Sequence, residues 1–164
     1  MEDFKKVKEK VLNYSQVLIK FQQTQKLEVK TLDMMQVMIG IKRCCDEHGM
    51  PNDINLLYHN IIKEYISQIV IPMVQRNKGE SSSFLRDYKQ QWDKFTEFTF
   101  LVRRTFEHLD RKFTREKGQM TLVFAAHSFF KAMVFEPLQA NLRSSILCEI
   151  EKDRNKDIVE KTDI

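Results

Sequence analysis

The sequence predicts an all-α protein, an elongated bundle of five to six helices. Three observations predict it. Only four Gly and three Pro occur among 164 residues, too few turn residues for an all-β sandwich or barrel. Apolar residues recur at alternating steps of three and four over most of the chain, the period of a helix with one apolar face. Hydrophobic residues make up 42% and charged residues 30%, the balance of amphipathic helices.

The first helix spans 4–21, where Phe4, Val7, Val11, Tyr14, Leu18 and Phe21 form one stripe. Lys5, Lys6, Lys8, Glu9 and Lys10 fall mostly off it. A second helix is expected from Leu32 to Glu47, with Thr31 placed to accept a bond from an early backbone N–H. Gly49 permits a left-handed cap after it and Pro51 prevents continuation. Asn52 or Asp53 starts a third helix, whose expected buried face is Leu56, Leu57, Ile61, Tyr65, Ile69 and Val70. Pro72 should kink or stop it. The polar, Ser-rich stretch 77–83 reads as a loop.

The longest periodic stretch follows: Phe84, Tyr88, Trp92, Phe95, Thr99, Val102, Phe106, Leu109 and Phe113. It predicts one long helix, or two with a slight break, ended by Lys117-Gly118. Leu122, Ala126, Phe129, Phe130 and Met133 mark another helix, expected to stop before Pro137. Leu138, Leu142, Ile146, Leu147 and Ile150 mark the last, and the charged stretch from Glu151 is where it should fray. Residues 1–155 read as a single domain, and 156–164 as a tail or the start of a following repeat.

Composition and motifs exclude several function classes. No apolar run approaches a membrane span, and the opening MEDFKKVKEK does not read as a secretory leader. Cys44, Cys45 and Cys148 are an odd count without zinc-ligand spacing. They read as reduced packing residues, in line with a cytoplasmic or nuclear chain. The net charge of +4 is mild, and its Lys-rich patches do not form the basic stripe that nucleic-acid binding needs. No glycine-rich phosphate loop, nucleophile elbow or HExxH motif is present. Glu107 and Asp110 sit beside Arg103, Arg104 and Arg111, with Glu107 at i, i+3 or i, i+4 from all three, and ion pairing accounts for them better than acid/base chemistry. His127, within an apolar stretch, reads as a satisfied or rim histidine. The expectation is no catalytic residue, no metal and no cofactor.

Four elements in register carry a resemblance. They are the stretch Phe84 to Phe95 around Trp92-Asp93, then Leu109-Asp110-Arg111-Lys112-Phe113 starting seventeen residues after the Trp, then Phe135-Glu136-Pro137-Leu138, and finally Ile150 to Asn155. Leu57-Tyr58 adds a fifth point. In this order the series resembles the N-terminal region of cullins, the scaffold subunits of multi-subunit ubiquitin ligases. The likeness runs from about Leu56 to Lys161 and is weak before it. It implies a five-helix cullin repeat, the first of three in a stalk. The tip of that repeat would hold a substrate-receptor adaptor. A RING-box protein would bind only through a C-terminal region that this sequence lacks. The Gln90-Gln91-Trp92-Asp93 and Ile150–Asn155 elements look most like the class that binds a Skp-type adaptor carrying an F-box protein, with BTB-domain adaptors as the alternative.

The resemblance also implies where the adaptor would sit. The family's second-helix pattern of aromatic, two variable residues, Leu and Tyr is matched nearest by Leu32-Asp33-Met34-Met35-Gln36. Alternatively, a shift of two places Met34 and Met35 as the leading pair. Met34, Met35 and Met38 exceed what one buried face needs, which suits an adaptable contact surface; the other reading is that they are core. On the long helix, Phe100, Arg103, Arg104, Glu107, His108 and Arg111 lie opposite the apolar stripe and are the remaining candidate contacts. A competing reading is a tethering or membrane-surface module using the Lys5–Lys10 face. If a second repeat stacks on this one, Phe135, Leu138 or Leu142 is expected near the junction.

Overall fold

The computed structural model describes residues 2–24, 31–114, 118 and 120–162, with side chains placed for 4–20, 34–114, 118 and 120–155. Six helices account for nearly all of the described residues, and no strand occurs among them. They are α1 (Glu2–Thr24), α2 (Thr31–Asp46), α3 (51–75), α4 (Ser81–Thr105), α5 (107–114) and α6 (122–162). The predicted all-α bundle is therefore the observed one. The side chains of Phe21, Thr31 and Leu32 and the residue Lys117 lie outside the described residues.

Helix α4 is the axis of the bundle, in contact with α1, α2, α3 and α6. Most of its predicted stripe, continuing into α5, is core: Phe84, Phe95, Thr99, Val102, Phe106 and Leu109 are buried, whereas Tyr88 and Phe113 are half-buried and Trp92 is partly exposed. Around it pack Val11 and Leu18 of α1, Val37 and Ile41 of α2, Ile54, Ile61, Tyr65 and Val70 of α3, and Leu122, Ala126, Phe130 and Val134 of α6. Tyr65 stacks on Phe98 with ring centroids 4.0 Å apart. Fully burying a side chain of this size contributes about 1.5–3 kcal/mol, so the aromatic layer fixes the relation of α3 to α4.

The turns follow from single residues. Gly49 (φ 63°) and Gly118 (φ 62°) both adopt the left-handed conformation that an L side chain resists. α3 begins at Pro51, one residue before the expected start, because proline suits the first turn, where its missing N–H is not needed. The slight break expected in the long stretch falls at Phe106 (φ −97°, ψ 13°), whose N–H bonds back only to Arg103.

Two prolines act differently from expectation. Pro72 does not stop α3, and Pro137 does not separate two helices; each lies inside a continuous helical run. Each is preceded by a π turn, Ile66–Val70 and Lys131–Phe135. There the N–H of Ile71 reaches back to Ile66, and that of Glu136 to Lys131. A proline ring clashes with the carbonyl four residues earlier, and the wider turn relieves that clash without breaking the helix. The two π turns pack against each other. The backbone of α6 stays helical to Thr162.

Four expected core positions are corrected. Leu56, on the predicted buried face of α3, is 58% exposed, because Ile54, Leu57, Tyr58, Ile61 and Ile62 already fill that face. Ile146, Leu147 and Ile150 of α6 are exposed, since the end of α6 runs along α4 with no helix on its other side among the described residues. Conversely, Leu138 and Leu142, expected at a repeat junction, are buried in this core, whereas Phe135 is partly exposed.

A polar clamp joins four helices. Asp110 is fully buried. One carboxylate oxygen accepts the Leu122 N–H at 3.0 Å, and the other accepts Arg103 Nε at 3.0 Å. The Tyr58 hydroxyl donates to the Leu122 carbonyl at 3.0 Å. The start of α6 is thus held from α5 and α3 at one residue. Burial by itself pushes the Asp110 carboxyl up, but the bonds from Leu122, Arg103 and Thr114 outweigh it and hold the group below its ordinary value. Tyr58→Phe is expected to cost about 1 kcal/mol, the net worth of one buried hydrogen bond; urea unfolding with an unchanged slope would show it.

Helices α1 and α2 approach closely at Gly40, where an added Cβ would lie 2.9 Å from a Val7 methyl. Gly40→Leu is expected to destabilise the protein by roughly 1–3 kcal/mol through overpacking, seen as a lower thermal midpoint.

Candidate functional site

Helix α2 shows two faces. Val37, Ile41, Cys44 and Cys45 are buried, at the spacing of one helical face. Met35 and Ile39, one turn apart, are 53% and 50% exposed. Met34 and Met38 are half-buried, and Met34 packs against the core. The two readings of the methionines thus divide within one helix: Met34 leans into the core and Met35 stands in solvent. Leu32's side chain lies outside the described residues.

Beside this ridge, α2 and the α4–α5 junction leave an open groove of about 530 Å³. Met38, Ile39 and Lys42 form one wall, and Glu107, His108 and Arg111 face them. Four predicted candidates, Met38, Glu107, His108 and Arg111, are therefore brought together from helices far apart in sequence. Asp46 fastens the groove's end. One of its oxygens takes both His108 Nε2 and Lys112 Nζ, each at 3.0 Å. Those bonds, from His108 first and Lys112 second, hold its carboxyl below the ordinary value. Arg111 lies 3.8 Å from Glu107, the expected i, i+4 pairing.

The other candidates lie apart from the groove. Arg103 is committed to buried Asp110. Arg104 is exposed on the side facing α1, where its charge offsets part of the rise that burial imposes on the Tyr14 phenol. Phe100 is 55% exposed on α4. Sequence reasoning missed Ile39, Lys42, Asp46 and Lys112. A signal existed for Ile39: six of the eight residues from Met34 to Ile41 are apolar, more than one face uses, and one turn from Met35 lands on Ile39. Asp46 and Lys112 are joined only by the fold.

The comparisons with known proteins agree with this architecture. The family model described as the cullin alpha solenoid domain matches residues 14–164. The chain belongs to the cullin family. Its likeness to Cullin-2 of Arabidopsis thaliana is 25% identity over 131 residues, covering 77% of this chain and 17% of that protein. With Putative cullin-like protein 1 of Arabidopsis thaliana it is 23% identical over 105 residues, covering 64% of this chain and 14% of the relative. The chain thus spans under a fifth of the length of these curated relatives. The cullin match begins at residue 14, well before Leu56, where the likeness was first legible.

The residues that carried the cullin resemblance have identifiable jobs in the structure. Tyr58 and Asp110 are the two ends of the clamp on Leu122. Trp92, 37% exposed, sets its ring edge-on against Phe130 at 4.8 Å and lies 5.3 Å from His127. His127 is half-buried in the α4–α6 contact, and its Nε2 is buried there without a hydrogen-bond partner among the described residues. Among the described residues, no helix is long and apolar enough to cross a membrane.

Proposed function

We propose that this cullin domain is the adaptor-binding part of a ubiquitin-ligase scaffold, and that it binds a Skp-type adaptor carrying an F-box protein. Residues 1–155 form the first cullin repeat in this reading, and 156–164 lead into the next. The contact surface is the exposed ridge of α2 together with the groove against α4 and α5. The observation that carries the reading is the exposure of Met35 and Ile39 beside that groove. Two large apolar side chains one turn apart, rimmed by Lys42, His108 and Arg111, have the composition of an interface core with a polar rim.

The role is non-catalytic and intracellular: the domain holds a partner in place. Recruitment of a RING-box protein belongs to a C-terminal region that this sequence does not cover. The basic rim raises the encounter rate with an acidic adaptor more than it raises final affinity. The Skp class is favoured by the Gln90-Gln91-Trp92-Asp93 element over the BTB class. Calorimetric titration separates the two. The expected result is a one-to-one complex with a Skp-type adaptor already bound to an F-box peptide, and no heat with a BTB domain. The reverse pattern would reassign the adaptor class.

A further inference from the structure

A second groove, of about 370 Å³, lies on the other flank of α2, between it and α1. Lys6 and Lys10 line it from α1, one turn apart, and Arg43 and His48 line it from the end of α2 and the turn after it. Glu47 is the acidic residue of the lining. Lys10 bonds to the Gln36 amide oxygen at 3.3 Å, a neutral partner that leaves its charge uncompensated. The floor is apolar: Val7 closes it where Gly40 has no side chain, and Ile39 forms a wall. Ile39 lines both grooves, so this one continues directly from the proposed adaptor surface.

We propose that the α1–α2 groove is a second docking site, which takes an acidic peptide segment of a partner protein with carboxylates flanking an apolar side chain. Charge complementarity argues for it, since cationic side chains converge from two helices on a concave, apolar-floored channel. A membrane surface fits less well. The groove is recessed, and the apolar face of α1 is spent on the core, with Val11, Tyr14, Leu18 and Ile19 buried. A helix that lies on a bilayer needs that face free. Nucleic acid fits less well again, because no aromatic residue lines the groove. The Lys-rich start of the chain, which the adaptor reading leaves unused, thereby has a role. The site does not depend on that reading, because it is tested without any adaptor.

The test is fluorescence anisotropy of a short labelled peptide, Asp and Glu flanking one Leu, titrated with the full 164-residue chain. Binding is expected that weakens with added salt. The double variant Lys10→Glu/Arg43→Glu should lower affinity about tenfold or more, and Lys131→Glu, an exposed cation on α6, should leave it unchanged. Both variants should keep the wild-type circular dichroism, since all three side chains are exposed. The proposal is overturned if the peptide does not bind, or if the two variants weaken it equally. It is also overturned if phosphatidylserine–phosphatidylcholine vesicles, and not the peptide, are bound in a way that the double variant abolishes.

Discussion

Met35→Asp is expected to weaken the complex with a Skp-type adaptor about thirtyfold or more while leaving the fold intact. Met35 is more than half exposed, so a carboxylate there remains hydrated in the free protein and unfolding should shift by no more than about 0.5 kcal/mol. In a complex the same carboxylate would be buried against an apolar partner without a counter-ion. That places the loss in the hot-spot range of about 2 kcal/mol or more, roughly thirtyfold in Kd. Ile39→Asp, one turn along, should behave alike, whereas Leu56→Asp, equally exposed but on α3, should not. An equal loss from Leu56→Asp would move the interface to a different face of the bundle.

The largest effect on stability is expected from Asp110→Ala. It leaves the Leu122 N–H buried without an acceptor and takes the partner from Arg103. Breaking a buried, hydrogen-bonded ion pair in this way costs about 3–5 kcal/mol; Arg103 keeps partial solvent access, with 29% of its side chain exposed, which places the loss near the lower end, about 3 kcal/mol. That is a large share of the 5–15 kcal/mol typical of a domain. Asp110→Asn keeps an acceptor for Leu122 and should cost less. The pH dependence has a fixed sign. The folded Asp110 carboxyl titrates below its unfolded value of about 4. Its contribution is therefore fully present above that value and is lost as pH falls through the lower, folded value. Thermal melts should show wild type losing stability below about pH 4 more steeply than Asp110→Asn. Parallel curves for the two would contradict the clamp.

How much of this was legible in the sequence depended on whether a feature was local. The stripe from Phe95 to Leu109 is one helical period and packs as read, while Trp92 on the same stripe stays partly exposed. The turn at Gly49 and the break near Phe106 are likewise local backbone chemistry. Pro137 misled because a proline argues against a helix only when the turn before it is an α turn, and the π turn at Lys131–Phe135 removes the conflict. Leu56, Ile146, Leu147 and Ile150 fit a helical period yet face solvent, since periodicity marks a face without saying whether another helix covers it. In the candidate site, Met35 as an exposed apolar residue was readable from the surplus of apolar residues on α2. The convergence of Met38 with His108 and Arg111 was supplied by the family resemblance, and Asp46, 62 residues before His108, has no local signal. The bond of Arg103 to Asp110, seven residues on, had no signal either, because it lies beyond the i, i+4 spacing that pairs side chains on one continuous helix.

The central claim is that α2 and its groove form an adaptor-binding surface. Size-exclusion chromatography with light scattering tests it most directly, using the purified chain mixed with a Skp-type adaptor already bound to an F-box peptide. The account predicts a one-to-one complex that disappears with Met35→Asp. Absence of any complex, or a complex that persists with both Met35→Asp and Ile39→Asp, would contradict it.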